Sequence, residues 1–503
     1  MDNRLRGRFR TGVHRFFTGA LAAPVSWLHH WVWCVPVLLF LALRDNAWPA
    51  FAAVFLVFVT RLRELDTYVR VALAMPAMLP LHNGPQRHRP SPPAELPESG
   101  RSARRTVVRV IEQRVLGFAP WVLCLSLGVY AWTLGHPADW GMIDLKVYWS
   151  LAPNVLSDRL YTTTMPFTAD FPLPFTYPPF AAAVFLPVSA LPWVAAKVFW
   201  QVLSLVCLWW LVRTSLGLLA ARAEEPWDGT WRRRALLWTA VALWFEPVRK
   251  TLDFGQVNLV LVAGVFAAVV AVRQSVAGFG VGLGVGMKLT PAISGLYFLA
   301  TRRWKAAAWS VAGFLVTVAL GFLVSAGDSR RYWFELLGAA DRVGPVGSVI
   351  NQSLRGALSR TLGYDVEMSW PWLLAVAVSA VLTWPALRAA VRAGDTLSAV
   401  VTVQLFGLLV SPISWSHHWL WVIPLVLWLV HAHRDRVLAA VWVVAVCSDI
   451  ITFLIDRQPS IWEIPRPWPL AALGWVYPAL ALITLAVTPK LLQTTRKAER
   501  VAT

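Results

Sequence analysis

The chain has 503 residues, 57% of them hydrophobic and 15% charged, against about 25% charged in an average soluble domain. Apolar run follows apolar run, too many to hide in a water-facing globule. That excludes a soluble enzyme, a disulfide-rich secreted module and a disordered chain. The net charge is +19, but the basic residues sit in short clusters between apolar segments. This is how a polytopic membrane protein places its cytoplasmic loops, so no nucleic-acid partner is expected.

Residues 1–115 read as an extension. A basic tail precedes the first long apolar run near Trp31, and it is far longer than the n-region of a signal peptide, so no cleaved signal is expected. Two short apolar runs, 31–43 and 49–60, flank Arg44-Asp45-Asn46 and suit a tight hairpin or one broken span. Residues 82–105 are rich in Pro, Arg and Ser and read as a cytoplasmic linker. The membrane domain is expected over 116–490 and a cytoplasmic tail over 491–503.

A hydrocarbon core about 30 Å thick needs roughly 20 apolar residues per helix. Apolar runs cover 117–135, 194–220, 235–246, 257–272, 304–326, 371–390, 397–410, 419–430, 437–455 and 469–487. Several are short, which suits helices leaning on one another around a cavity. The clusters Arg232–Arg234, Arg302-Arg303-Lys305, Arg388/Arg392, Arg434/Arg436 and Lys490/Arg496/Lys497 fall on one side if they face the cytoplasm. That parity makes 279–300 a re-entrant pair with its tip at Lys288-Leu-Thr-Pro291, and makes 180–191 a segment that dips without crossing. Segments 136–177, 327–370 and 456–468, with the turn 411–417, then face outward. Cys34, Cys124, Cys207 and Cys447 lie inside apolar runs with no C-x-x-C pair, and are expected as small buried side chains.

The first outward segment holds Asp144, followed by an aromatic and proline-rich stretch through Leu173-Pro-Phe-Thr-Tyr-Pro-Pro179. A carboxylate beside aromatics can take a proton from a hydroxyl, and aromatic rings suit the apolar faces of a sugar; a solvated loop aspartate is the plainer reading. Asp253-Phe-Gly-Gln-Val-Asn258 opens an apolar run. Its polar side chains read either as helix caps or, for Gln256 and Asn258, as groups at the outer end of a bundle that need partners or a cavity. Arg249 and Lys250 stand just before them and could hold a phosphate. Lys288 is one of seven lysines and lies between a glycine-rich stretch, 278–286, and Thr290-Pro291. An ammonium at that depth wants an anion, a lipid phosphate above all, unless it snorkels to an interface. Asn351-Gln-Ser-Leu-Arg355 could meet sugar hydroxyls or serve an ordinary loop. His417 and His418, between tryptophans, can bond a phosphate or hydroxyl. Adjacent histidines point to different faces, and no matching ligand set accompanies them outside, so no metal is expected.

These motifs stand in the order Asp144-x-x-x-Tyr148, Leu160-Tyr161, Phe175-Thr-Tyr177-Pro-Pro179, Gly255-Gln-Val-Asn258, Gly284-x-x-x-Lys288-Leu-Thr-Pro291, Asn351-Gln352-Ser-Leu354 and Ser411-Pro-Ile-Ser-Trp-Ser-His417-His418. In that order the chain resembles the family 87 glycosyltransferases, actinobacterial membrane enzymes of the GT-C fold, over about 117–489. The resemblance implies an all-α polytopic bundle of about 10–13 membrane helices with extended outward loops. It implies transfer of a sugar, usually mannose, from a polyprenyl-phosphate donor to a lipid-linked glycan acceptor outside the cytoplasmic membrane, without a cofactor. In particular the chain is similar to the α-(1→2)-mannosyltransferases of phosphatidylinositol mannosides, lipomannan and lipoarabinomannan. The family's presumed base falls on Asp144. Lys288, Arg249, His417 and His418 are then expected at the donor phosphate, and Tyr148, Tyr177, Gln256, Asn258, Asn351 and Gln352 at the sugar or acceptor. Arabinofuranosyl transfer from polyprenyl-phosphate arabinose is the alternative within the enzyme class, and a lipid or sugar transporter outside it. Residues 1–115 have no counterpart in the family pattern. Asp144 also lacks the neighbouring acid seen in some GT-C relatives, so the resemblance implies no metal.

Overall fold

The computed structural model describes residues 112–134, 141–166, 172–433, 435–458 and 460–502. The expected N-terminal hairpin or broken span and the 82–105 linker lie outside these residues. The chain divides into two units, Met1–Glu112 with Cys447–Asp449, and Gln113–Val446 with Ile450–Thr503. All that follows concerns the second unit.

Helix α1, Ala119–Leu134, is apolar on every side, as a helix shared between bundle and lipid should be. Cys124 lies on its exposed face, against the expectation of a buried thiol. Helix α2, Ile143–Leu151, starts after Met142 in the left-handed region (φ 41°) and carries Asp144 in its first turn, where the helix dipole favours a carboxylate. It buries Leu145, Val147, Tyr148 and Leu151. A two-residue antiparallel ribbon follows, β1 Thr164–Met165 with β2 Leu173–Pro174, in the register Thr164↔Pro174. Helix α3, Pro179–Ser189, takes a proline into its first turn, where the missing N–H is no loss. Phe175 and Tyr177 pack beneath it: Tyr148 stacks on Phe185 at 4.5 Å and lies 5.4 Å from Tyr177.

Helix α4, Trp193–Arg222, is the longest of the described helices at 30 residues. Helix α5, Gly229–Ala242, is capped by the Asp228 carboxylate, which accepts from Thr230 N and Trp231 N. The next span is broken. Helix α6, Glu246–Phe254, ends at Gly255 in the left-handed region (φ 67°), and helix α7, Asn258–Val270, leaves at 117° to it. Helix α8, Gln274–Met287, stops at Lys288, whose backbone is extended. A 3-10 turn, Thr290–Ser294, and helix α9, Gly295–Ala300, continue it. The chain therefore breaks where the Lys288-Leu-Thr-Pro291 tip was expected.

Helix α10, Trp304–Val324, lies against α8 along a seam of glycines. A Cβ at Gly278 would overlap the Ala306 carbonyl oxygen, one at Gly282 the Ser310 carbonyl, and one at Gly286 the Thr317 side chain. Glycine at every fourth position lets the two backbones touch. The outer side of α10 leaves Val311, Leu315, Leu320 and Leu323 exposed, the face of a helix against lipid. Beyond the short helix α11, Ala326–Arg331, come α12, Leu354–Leu362, capped by Ser353, and α13, Trp370–Arg392. Helix α14, Thr396–Val410, is capped by Asp395, which also pairs with Arg222 at 3.1 Å. Helix α15, Val422–Trp428, is buried at every residue and forms the centre of the bundle. Helices α16, Arg436–Cys447, α17, Ile450–Ile455, α18, Trp468–Leu473, and α19, Val476–Ala502, close the chain.

The described residues make an all-α polytopic membrane protein. Four helices are long and apolar enough to cross a bilayer, or five if the bent α6–α7 pair is one span. Five shorter apolar helices accompany them. Among the described residues, Gly, Pro and polar residues interrupt several apolar runs, so short and broken helices stand beside the full-length ones. Broken spans of this kind are tolerated only where they face protein or a cavity.

Candidate active site

The two helix breaks and the outer loop meet. Gln256, in the α6–α7 break, donates from Nε2 to Asp144 Oδ2 at 2.7 Å. Its Oε1 accepts from Tyr148 Oη at 3.1 Å and from Tyr177 Oη at 3.2 Å, and the two hydroxyls lie 3.0 Å apart. Lys288, in the α8 break, donates from Nζ to Asn258 Oδ1 at 3.0 Å and to Tyr177 Oη at 3.4 Å. It also lies 2.9 Å from His418 Nε2. An ammonium has only donors, so His418 accepts there as a neutral imidazole. Asp144, Gln256, Tyr148, Tyr177, Lys288, Asn258 and His418 thus form one connected polar network, assembled from five separate stretches of sequence. Withdrawal from water pushes the Asp144 carboxyl up to about 6, and the Gln256 hydrogen bond and the Lys288 charge oppose that rise.

The backbone that presents Gln256 is tight. A Cβ at Gly255 would stand 2.6 Å from Leu145 Cβ and 3.1 Å from Met142 Cβ, so the break presses directly on α2. Glycine answers both demands, close approach and positive φ.

His418 stands on the 3-10 turn Ser416–Trp421, and the outer loops fix that turn. Asn351 bridges to Trp415, Gln352 N donates to Ser414 O at 2.8 Å, and Ser416 N donates to Ile350 O at 2.8 Å. Ser416 Oγ donates to Glu246 Oε1 at 2.7 Å, and Tyr477 Oη to Glu246 Oε2 at 3.0 Å. Glu246 is buried, and its role escaped the sequence reading. The signal was present as a carboxylate closing the apolar run 235–246.

The structure does not bring four other expected residues into the network through their side chains. Arg249 lies between aromatic rings, 4.8 Å from the Tyr130 centroid and 5.0 Å from that of Trp244, and pairs with Asp253 at 3.5 Å. His417 contributes its backbone: its carbonyl accepts from Asn258 Nδ2 and Thr251 Oγ1, both at 3.2 Å. Its ring meets Phe254 and His418 edge-on. Asn351 spends its amide on Val346 O, Pro412 O, Ser353 N and Ser414 N. Gln352 bonds Val349 O, Gly474 O and Tyr477 N. Both amides are buried and saturated, so they brace the histidine turn where sugar contacts were expected. A residue type suited to sugars is equally suited to backbone.

A cavity of about 210 Å³ opens beside Asn258 and His418. Elsewhere its walls are mostly apolar, with Leu261, Val265, Ile293, Leu408 and Trp421 among them. The site therefore joins a carboxylate, an ammonium and an apolar slot.

The family model for glycosyltransferase family 87 matches residues 175–412, from the aromatic loop to the turn before His417. A polyprenol-phosphate-mannose-dependent alpha-(1-2)-phosphatidylinositol pentamannoside mannosyltransferase of Mycolicibacterium smegmatis is 44% identical over 404 residues, covering 78% of this chain and 93% of that protein. The chain belongs to glycosyltransferase family 87. A second protein of the same description, from Mycobacterium tuberculosis, is 44% identical over 72% of this chain and 85% of its own length. A polyprenol-phosphate-mannose-dependent alpha-(1-2)-phosphatidylinositol mannoside mannosyltransferase of M. tuberculosis is 37% identical over 74% of this chain and 91% of its own. No solved structure matches. This family 87 chain is accordingly a glycosyltransferase, and its buried polar network is the place to look for its chemistry.

Proposed function

We propose that the enzyme transfers a mannosyl unit from polyprenyl-phosphate mannose to a phosphatidylinositol mannoside, in α-(1→2) linkage and with inversion, on the side of the membrane away from the cytoplasm. The observation that carries the chemistry is the unbroken path of hydrogen bonds from Asp144 through Gln256 and the tyrosine pair to Lys288. The named donor and acceptor of the relatives support the choice of mannose over arabinose.

Asp144 takes the proton of the acceptor hydroxyl as that oxygen attacks the anomeric carbon. The bond from carbon to phosphate oxygen breaks on the opposite face, and its electron pair leaves with the polyprenyl phosphate. A β-linked donor thus gives an α product. A positioned base contributes about 10²–10⁴-fold. The leaving phosphate gains charge, and Lys288 is placed to meet it. All three ammonium protons are engaged, but the Tyr177 contact at 3.4 Å is the longest and exchanges most readily for a phosphate oxygen. His418 and Asn258 hold the ammonium from the other side. The apolar cavity beside them suits the first units of the prenyl chain.

Purified Asp144→Asn enzyme, given polyprenyl-phosphate mannose and a defined phosphatidylinositol mannoside, is expected to lose transfer by two or more orders of magnitude, in keeping with the contribution of about 10²–10⁴-fold from a base. Full activity in that variant would rule the base out. In the parent enzyme the carboxyl must be ionised to act, and its titration is pushed up to about 6. The rate is therefore expected to be flat at neutral pH and to fall about tenfold per unit below that point. A pH profile of initial rates checks this.

A further inference from the structure

On the path from base to cation the group that touches the base is one amide, and its orientation is not free. We propose that Gln256 is a positioning residue for the transfer reaction: Nε2 holds one oxygen of Asp144 and so presents the other to the acceptor hydroxyl. This rests on the reading of Asp144 as the base.

An ionised carboxylate only accepts hydrogen bonds, so the NH₂ end of the amide must face it. Each tyrosine hydroxyl has a single proton, and both lie within reach of the opposite end, Oε1. Turning the amide over would set an acceptor against the carboxylate and break that match. Gln256 is 6% exposed, so water cannot take the place of either partner. Its backbone has no slack either. Gly255 fixes the approach to α2, and Gln256 N donates to Thr251 O at 2.9 Å, closing the end of α6. Asparagine, one methylene shorter, would fall about 1.5 Å short of Asp144.

The charges around Asp144 are few. Lys288 faces it from the end of α8, Tyr177 from the loop before α3, and Tyr148 from its own helix. On α6, Arg249 pairs with Asp253, and Glu246 bonds Ser416 and Tyr477. On α4, Lys197 lies over the Trp193 ring. Removing the Gln256 donor should therefore destabilise the Asp144 carboxylate, and the acid limb of the rate profile should move to higher pH.

The test uses the full chain in lipid nanodiscs with Q256L, Q256E and D144N. Q256L is expected to lower kcat about 10- to 100-fold, the range of a misplaced catalytic group. KM for donor and acceptor should change little, and the acid limb should rise. Q256E keeps the reach and shape, so it covers the case in which Q256L does not fold. It sets a second carboxyl against the first, and its acid limb should move further up by like-charge coupling. An unmoved acid limb in both variants, with D144N inactive, overturns the role of Gln256 and leaves the base intact. Full transfer by D144N overturns the base and this inference with it.

Discussion

Lys288 binds three partners with three protons, and none of those partners is an acid. Asn258, Tyr177 and His418 are neutral, so the charge of the ammonium stays available to an incoming anion. Lys288→Met is expected to reduce kcat by about 10²–10³-fold, the loss seen when one transition-state donor is removed. Folding should survive, since methionine fills a similar volume; turnover with saturating donor, beside a melting curve, checks both. At this scale much of the site was legible. Lys288, Gln256 and Asn258 stood out as polar groups in an apolar setting, Asp144 as a carboxylate beside aromatics, His418 as a group able to bond a phosphate or hydroxyl, and Tyr148 and Tyr177 through the resemblance. Arg249 was expected at the donor phosphate, yet two aromatic rings and Asp253 hold it. Sequence showed that it needed partners but not which face of α6 it occupies. Glu246 was passed over because it stood at the end of an apolar run, where a carboxylate reads as a boundary.

The elements that build the site are helices that fail to continue. The α6–α7 span turns through 117° at Gly255–Val257, and α8 ends in extended backbone at Lys288. Each break frees backbone polar groups and throws a functional side chain sideways. The parity of the basic clusters placed a tip at the second break. The first was read as a helix start, because composition marks where a helix begins more clearly than how sharply it turns. Glycines set the rest of the geometry. Gly278→Ala is expected to destabilise the protein by about 1–3 kcal/mol, because its methyl group would enter the Ala306 carbonyl. Gly264, inside α7, has nothing within 4 Å of its ideal Cβ. Gly264→Ala should be neutral or stabilise by about 0.5–1 kcal/mol. Thermal unfolding of the two variants in one detergent gives the comparison.

Across the whole molecule, the network residues run from Asp144 to His418, while the family match covers 175–412. A chain lacking residues 1–110 is therefore expected to keep transfer activity at a rate comparable to the full protein. A radiolabelled-product assay on both forms would show it. The polytopic membrane class was legible from composition, and the all-α bundle from the resemblance. Where the spans break was not, since short apolar runs and broken helices look alike until their neighbours are known.

Glu246 has a consequence for how the enzyme comes into being. Its two oxygens are claimed by hydroxyls 170 and 231 positions further along the chain. The second belongs to α19, the last of the described helices. Until that helix docks, the carboxylate lacks its far partner and the turn bearing His418 lacks part of its anchorage. Anchorage of the histidine turn therefore joins a carboxylate in the middle of the chain to a hydroxyl near its far end, and it is complete only when those distant segments have met.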